Sequence, residues 1–129
     1  PGRPAAFRAA IEEFPVKRLI YTPTKVGGRY HPRIRELANA SGVYVIRRRE
    51  SGRVLYVGES HSGRLYDTLT RHFRAWTGPT AGYTCDPADV EVAIVRVPAP
   101  SAVAAQNALI ARLRPHWNVN GKPDDDTPF

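Results

Sequence analysis

Apolar and polar positions alternate in two short runs near the middle of the chain, each carrying a glycine beside a tyrosine. The first contains Gly42-Val43-Tyr44 and the second Tyr56-Val57-Gly58, with the polar turn Arg47-Arg48-Arg49-Glu50-Ser51-Gly52-Arg53 between them. The pattern predicts a β-hairpin, strands 43–48 and 53–58, with both tyrosines standing on one face of a sheet. Strict alternation sets Val54, Tyr56 and Gly58 on one face of the second strand and Leu55 and Val57 on the other. On the first strand it groups Tyr44 with Ile46 and Arg48. Leu65, Leu69, Phe73 and Trp76 then recur at helical spacing, predicting a helix from about Gly63 to Trp76, stopped by Gly78-Pro79. The β-branched run Val90–Val97 reads as a third strand. A second helix is expected from an N-cap at Ser101 to about Leu113, ending before Pro115. Upstream, Phe7, Ala10, Ile11 and Phe14 suggest a helix over 4–14. Residues 15–41, with Pro23, Gly27-Gly28 and Pro32, read as mostly irregular, with a turn of helix near 32–39. The element order is ββαβα after a basic extension.

At 129 residues this is one domain with room for a modest core. Its single Cys85 forms no internal bridge, which fits a reducing, cytoplasmic compartment. No apolar run reaches membrane-spanning length. The chain has no methionine, so residue 1 is expected to be an internal position of a longer protein. The net charge of +7 is uneven: residues 1–74 hold 15 of the 19 Lys and Arg and 6 of the 12 acids, residues 75–129 the remainder. Such asymmetry points to a polyanion, because cations gain affinity by displacing counterions from phosphates. Lys17, Arg18, Lys25, Arg29, Arg33 and Arg35 make a basic lead-in that contacts substrate backbone or packs on the sheet, and Arg48 adds to it from the turn.

Two tyrosines on adjacent strands can bracket a phosphodiester, although aromatic side chains also favour strands for packing alone. A phenol can hold an attacking water and act as a base if a neighbour lowers its pKa. Arginine suits the charge on a pentacovalent phosphorus; Arg64 and Arg71 share a stripe of the first helix with Thr68. His72 lies beside that stripe as a phosphate donor, a base or a structural histidine. In the second helix Gln106 shares a stripe with Ala102, Leu109, Ile110 and Leu113, so its amide is expected to need an internal polar partner. Asn118 is placed to bridge back with its amide or to serve the turn at Asn120-Gly121. No His/Cys cluster has zinc spacing, and Gly27-Gly28 is too short for a phosphate loop. Ser60, His61 and Ser62 lack a spaced acid partner, so no hydrolase triad is expected.

Gly42-Val43-Tyr44, Tyr56-Val57-Gly58, the helix ending Arg71-His72-Phe73, and Gln106-Asn107-Ala108-Leu109-Ile110 with Pro115 and Asn118 together resemble the GIY-YIG nuclease family over residues 41–120. The resemblance implies an α+β fold, a small, mainly antiparallel three-stranded sheet flanked by helices. Residues 1–41 would form a basic extension on or beside the core, 42–121 the nuclease-like core, and 122–129 an acidic flexible tail. It implies hydrolysis of DNA phosphodiesters with one Mg²⁺ or Mn²⁺. Tyr44 would position or deprotonate water with Tyr56 assisting, a helix arginine would stabilise the phosphate, and Asn118 would support the site.

Two positions depart from the family pattern. Its arginine falls near Thr68 here, leaving Arg71, or failing that Arg64, to supply the charge from one turn away. Its metal-binding glutamate is replaced by Gln106, a poor ligand for an ion that prefers charged oxygens. The chain as written is therefore expected to be inactive or severely impaired. Either Gln106 is an introduced change in a nuclease, or the protein is a naturally non-catalytic binding module. DNA is the expected partner ahead of RNA, with strand preference and oligomeric state left open.

Overall fold

The structure, a computed structural model, describes residues 19–74 and 83–120, without the side chains of 119 and 120. The helix expected at 4–14, Lys17, Arg18, Trp76 and the acidic tail lie outside the described residues. Among the described residues no helix is long and apolar enough to cross a membrane.

The centre is a mixed α+β arrangement around an antiparallel sheet of four strands rather than three. Strands β1 (Tyr21–Pro23), β4 (Gly42–Arg48), β5 (Val54–Ser60) and β6 (Val90–Arg96) lie in the order β1-β6-β4-β5. The fourth strand comes from the stretch expected to be irregular. Tyr21, Thr22 and Pro23 pair with Ala93, Val92 and Glu91. An edge tolerates Pro23 because its missing N–H is needed by no neighbour there. A separate two-stranded ribbon, β2 (Lys25–Val26) with β3 (Arg29–Tyr30), follows at once and leads into the short helix α1 (Pro32–Arg35).

Valine and isoleucine alternation in β4 fills both faces. Tyr44 and Ile46, with Leu55, Val90 and Val92, pack against Ile34, Leu37, Leu65 and Leu69. Val43, Val45, Val57 and Ala93 pack on the other side against Ala102, Ala105 and Leu109. Burying a side chain of this size is worth roughly 1.5–3 kcal/mol, so these two clusters provide most of the driving force. The expected facing of β5 holds for Tyr56, Gly58 and Val57 but fails at its start. Ile46 pairs with Tyr56 and Arg47 with Val54, leaving Leu55 as the extra residue of a β-bulge. The bulge turns Leu55 onto the tyrosine face and Val54 onto the other, because one added residue inverts a period of two.

Helix α2 (Leu65–Thr70) is shorter than expected and tightens into a 3₁₀ turn over Arg71–Phe73. Thr70 Oγ1 donates to the carbonyl of Tyr66 at 2.8 Å, a back-bond that bends helices. Helix α3 (Ala102–Leu113) occupies its expected span, but Ser101 is not its side-chain cap. A 3₁₀ turn at Ala99–Ser101 leads in and the Ser101 side chain makes no capping bond. Arg114 in the left-handed conformation ends α3, and α4 (His116–Asn120) turns the chain past the free edge of β5.

Candidate active site

Tyr44 and Tyr56 stand on one face of neighbouring strands with ring centroids 6.1 Å apart. Gly58 makes the close packing possible: a Cβ there would fall on the Tyr44 hydroxyl, so the motif glycine vacates the space the phenol fills. The 3₁₀ turn after α2 drives His72 inward against both rings, at 5.6 Å from Tyr44 and 5.0 Å from Tyr56. His72 is 2 % exposed and Tyr44 1 %.

The polarity of this triad follows from its outer contact. His72 Nδ1 lies 2.6 Å from the carbonyl oxygen of Tyr83, which only accepts, so Nδ1 carries the proton. Nε2 is then the acceptor for the Tyr44 hydroxyl, 2.8 Å away. The same segment is clamped a second time by Cys85 N–H donating to the His72 carbonyl at 2.8 Å. Burial lowers the pKa of His72, partly opposed by its bond to the Tyr83 carbonyl and reinforced by Arg71. Burial, and then the neighbouring Tyr56, raise Tyr44 well above the usual phenol, while Arg71 acts in the opposite sense. At neutral pH the proton therefore sits on Tyr44, and His72 is a neutral acceptor behind it.

Arg71 is partly buried at the C-terminal end of α2, and its charge lowers the pKa of both Tyr44 and His72. Arg64 is exposed at the other end of α2, 3.6 Å from Asp67. Tyr56 is the more accessible phenol of the pair, its pKa raised by burial and then by Glu59.

Asn118 bridges back to the sheet. Its Oδ1 accepts from Val57 N–H at 2.7 Å and its Nδ2 donates to the Val57 carbonyl at 3.0 Å. One side-chain amide thus stands in for a fifth strand on the β5 edge and satisfies two backbone groups. Trp117, the preceding residue, stacks on Tyr83 at 4.2 Å and 7°, and Tyr56 leans on both rings.

Gln106 does not meet the expectation of an internal polar partner. Helix α3 packs on the face opposite the tyrosines, through Ala102, Ala105 and Leu109. At 100° per residue, position 106 falls on the flank of that buried arc. Gln106 is partly exposed, and its amide hydrogen bond is to neighbouring Asn107 at 3.5 Å.

Three contributors escaped sequence reasoning. Tyr83 and Trp117 sit in segments with no periodic signal, although an aromatic in each was visible. Glu59 follows Gly58 in the second motif, and its charge acts on both tyrosines. Glu59 also overturns the expectation that His61 lacks an acid partner, since His61 Nδ1 is 3.1 Å from both of its carboxylate oxygens. A hydrolase triad still does not result: Ser60 Oγ accepts from the N–H groups of Ser62 and Arg64 and has no bond to His61.

Lys25, Arg29 and Arg48 are all exposed. Arg48 and Arg49 share a surface cleft with Glu50 and Asp89, which offset their charge. No family model matches this chain, and no curated protein matches it.

Proposed function

We propose that this chain is a GIY-YIG-type domain that engages DNA phosphodiesters on its tyrosine face, with hydrolysis impaired by the neutral residue at position 106. The observation that carries the reading is the buried chain Tyr44 Oη–His72 Nε2, polarised by the Tyr83 carbonyl, beside Arg71 and the more accessible Tyr56.

The residues present do not fit the family's Mg²⁺ or Mn²⁺ at position 106. Gln106, on the flank of its helix, offers a neutral carbonyl where a hard cation prefers a carboxylate. Among the described residues no three His, Cys, Asp or Glu side chains gather into a ligand group.

The chain's own groups supply a proton route and a charge clamp. A water held near the tyrosines gives its proton to Tyr44 Oη as Tyr44 passes its own to His72 Nε2. The imidazolium so formed keeps Nδ1–H on the Tyr83 carbonyl. Tyr56 orients the water or the phosphate oxygen, and Arg71 offsets the phosphate charge. Positioned proton transfer of this kind contributes about 10²–10⁴-fold.

A second reading has its own support: Tyr44 is almost wholly buried, so the domain binds phosphate at Tyr56 and Arg71 and performs no chemistry. The two separate in a cleavage time course with Mg²⁺ on supercoiled plasmid and on labelled single strands. The impaired-nuclease reading expects Gln106→Glu to cut where the parent does not, and Tyr56→Phe in that background to slow it. Absence of cutting by Gln106→Glu, with DNA binding retained, selects the binding module.

A further inference from the structure

The β2–β3 ribbon lies upstream of both tyrosine motifs and is taken up by neither the proton route nor the sheet core. It is a minimal hairpin. Lys25 pairs with Tyr30 and Val26 with Arg29, and Gly27-Gly28 form the turn at φ 62° and 79°. Positive φ at both central residues is the type I′ signature, whose twist matches the strands it joins. A Cβ on either glycine would meet nothing within 4 Å, so the turn itself borders open space.

The tip carries its cations on two sides. In a pleated ribbon Lys25 and Tyr30 share one face, and Lys25 Nζ lies 5.3 Å from the Tyr30 ring centre. Arg29 shares the other face with Val26, which is 56 % exposed. Arg33 and Arg35 follow on α1, also exposed. Across residues 19–40 there are four cations and one acid, Glu36, and the cleft that Lys25 lines adds Arg49 and Asp86, one of each sign, so the ribbon's field is positive.

The base is fixed relative to the tyrosine site. Tyr30 packs edge-on against Tyr66 of α2 at 6.1 Å and against Phe73 at 6.2 Å. Phe73 directly follows Arg71 and His72. Thr24 closes the other side: its backbone carbonyl accepts from His31 N–H at 2.8 Å, and its hydroxyl donates to the Pro87 carbonyl at 2.6 Å. Arg35 Nε donates to the Tyr30 carbonyl at 3.0 Å.

We propose that the β2–β3 ribbon is a duplex-DNA contact that enters the major groove, Lys25 meeting the phosphates on one wall and Arg29 those on the other. This rests on the phosphodiester reading of the tyrosine face and adds its substrate form. The major groove of B-DNA, about 12 Å wide, admits a two-stranded ribbon. The deep, narrow major groove of A-form RNA does not, and a single strand offers only one line of phosphates. Val26 at the tip supplies apolar contact for a sugar or a thymine methyl.

The test is equilibrium binding by fluorescence anisotropy, from 50 to 300 mM salt, on duplex DNA, single-stranded DNA and duplex RNA of one sequence. It compares the parent with Lys25→Ala/Arg29→Ala and Gly27→Ala/Gly28→Ala. The parent is expected to favour duplex DNA. Removing both cations should lower the salt slope on duplex DNA by about 2, since each phosphate contact adds about 0.9. Affinity should fall on every sequence alike, and most at the low-salt end of the range. The glycine variant keeps every charge but strains the turn, and should lose the preference for duplex over single strand. Lys25→Arg/Arg29→Lys should restore the parent slope. An unchanged slope after removing both cations overturns the proposal, as does parent preference for single strands or duplex RNA. Because only binding is read, a ribbon that fails here leaves the Gln106→Glu cleavage result standing, and a Gln106→Glu protein that does not cut leaves this one standing.

Discussion

Replacing Tyr44 with phenylalanine removes a single hydroxyl from a buried site and leaves the ring in the core. The hydroxyl donates to His72 Nε2 at 2.8 Å, and the imidazole cannot turn to find another donor because Nδ1–H is held by the Tyr83 carbonyl at 2.6 Å. The variant therefore strands a buried acceptor, at a cost of about 1–3 kcal/mol. The upper part of that range applies only if no water enters. For a chain of this size it corresponds to a fall in Tm of about 3–10 °C. Tyr56→Phe is the matched control: its more accessible hydroxyl makes no such buried bond, so that loss should stay within about 0.5 kcal/mol. Thermal and urea unfolding of both variants give the comparison, and NMR titration of His72 gives a second readout. With its donor gone, Nε2 protonates more readily, so the His72 pKa should rise from its depressed position. Equal costs for the two variants, or an unmoved His72 titration in Tyr44→Phe, would refute the hydrogen-bonded chain.

Asn118→Ala exposes both bonds of Val57 and should destabilise by about 2–4 kcal/mol in urea unfolding, whereas Asn118→Asp, which keeps only the acceptor, should recover part of this. Gly58→Ala places a methyl on the Tyr44 hydroxyl and should cost at least about 1–3 kcal/mol by overpacking, relieved when combined with Tyr44→Leu. The pH dependence has a definite sign on each side. His72 has a lowered folded pKa, so its contribution is lost as pH falls below about 6.5; Tyr44 has a raised one, so its contribution is lost as pH rises above about 10. Cys85, pushed up to about 12 by burial and then Asp86, should react with iodoacetamide at pH 8 far more slowly than the same thiol in urea.

The hairpin was legible because glycine-tyrosine alternation at period two has few other solutions. The bulge was not, since Val54-Leu55-Tyr56-Val57 is apolar throughout and offers no contrast from which to read a face. Strand β1 escaped because three residues ending in proline carry almost no pattern, and their partner in β6 lies about seventy residues away. Gly27-Gly28, too short for a phosphate loop, forms a type I′ turn that the sequence analysis did not anticipate. Among site residues, Tyr44, Tyr56, His72 and Asn118 lay in motifs. The depth of Tyr44 and the tautomer of His72 depend on Tyr83, a contact across a loop that no local spacing encodes. Gln106 was assigned to the buried stripe of its helix, and helical geometry leaves it on the flank.

The proposed function has DNA meet this domain on the face of Tyr56, Arg71 and His72. NMR mapping of a short duplex titrated onto the chain tests it without requiring any cleavage. Shifts concentrated at Tyr56, Arg71 and His72, extending through Phe73 and Tyr30 toward Lys25 and Arg29, are the expected result. Shifts confined to the outer surface of α3, around Val103, Asn107 and Arg112, would contradict the account.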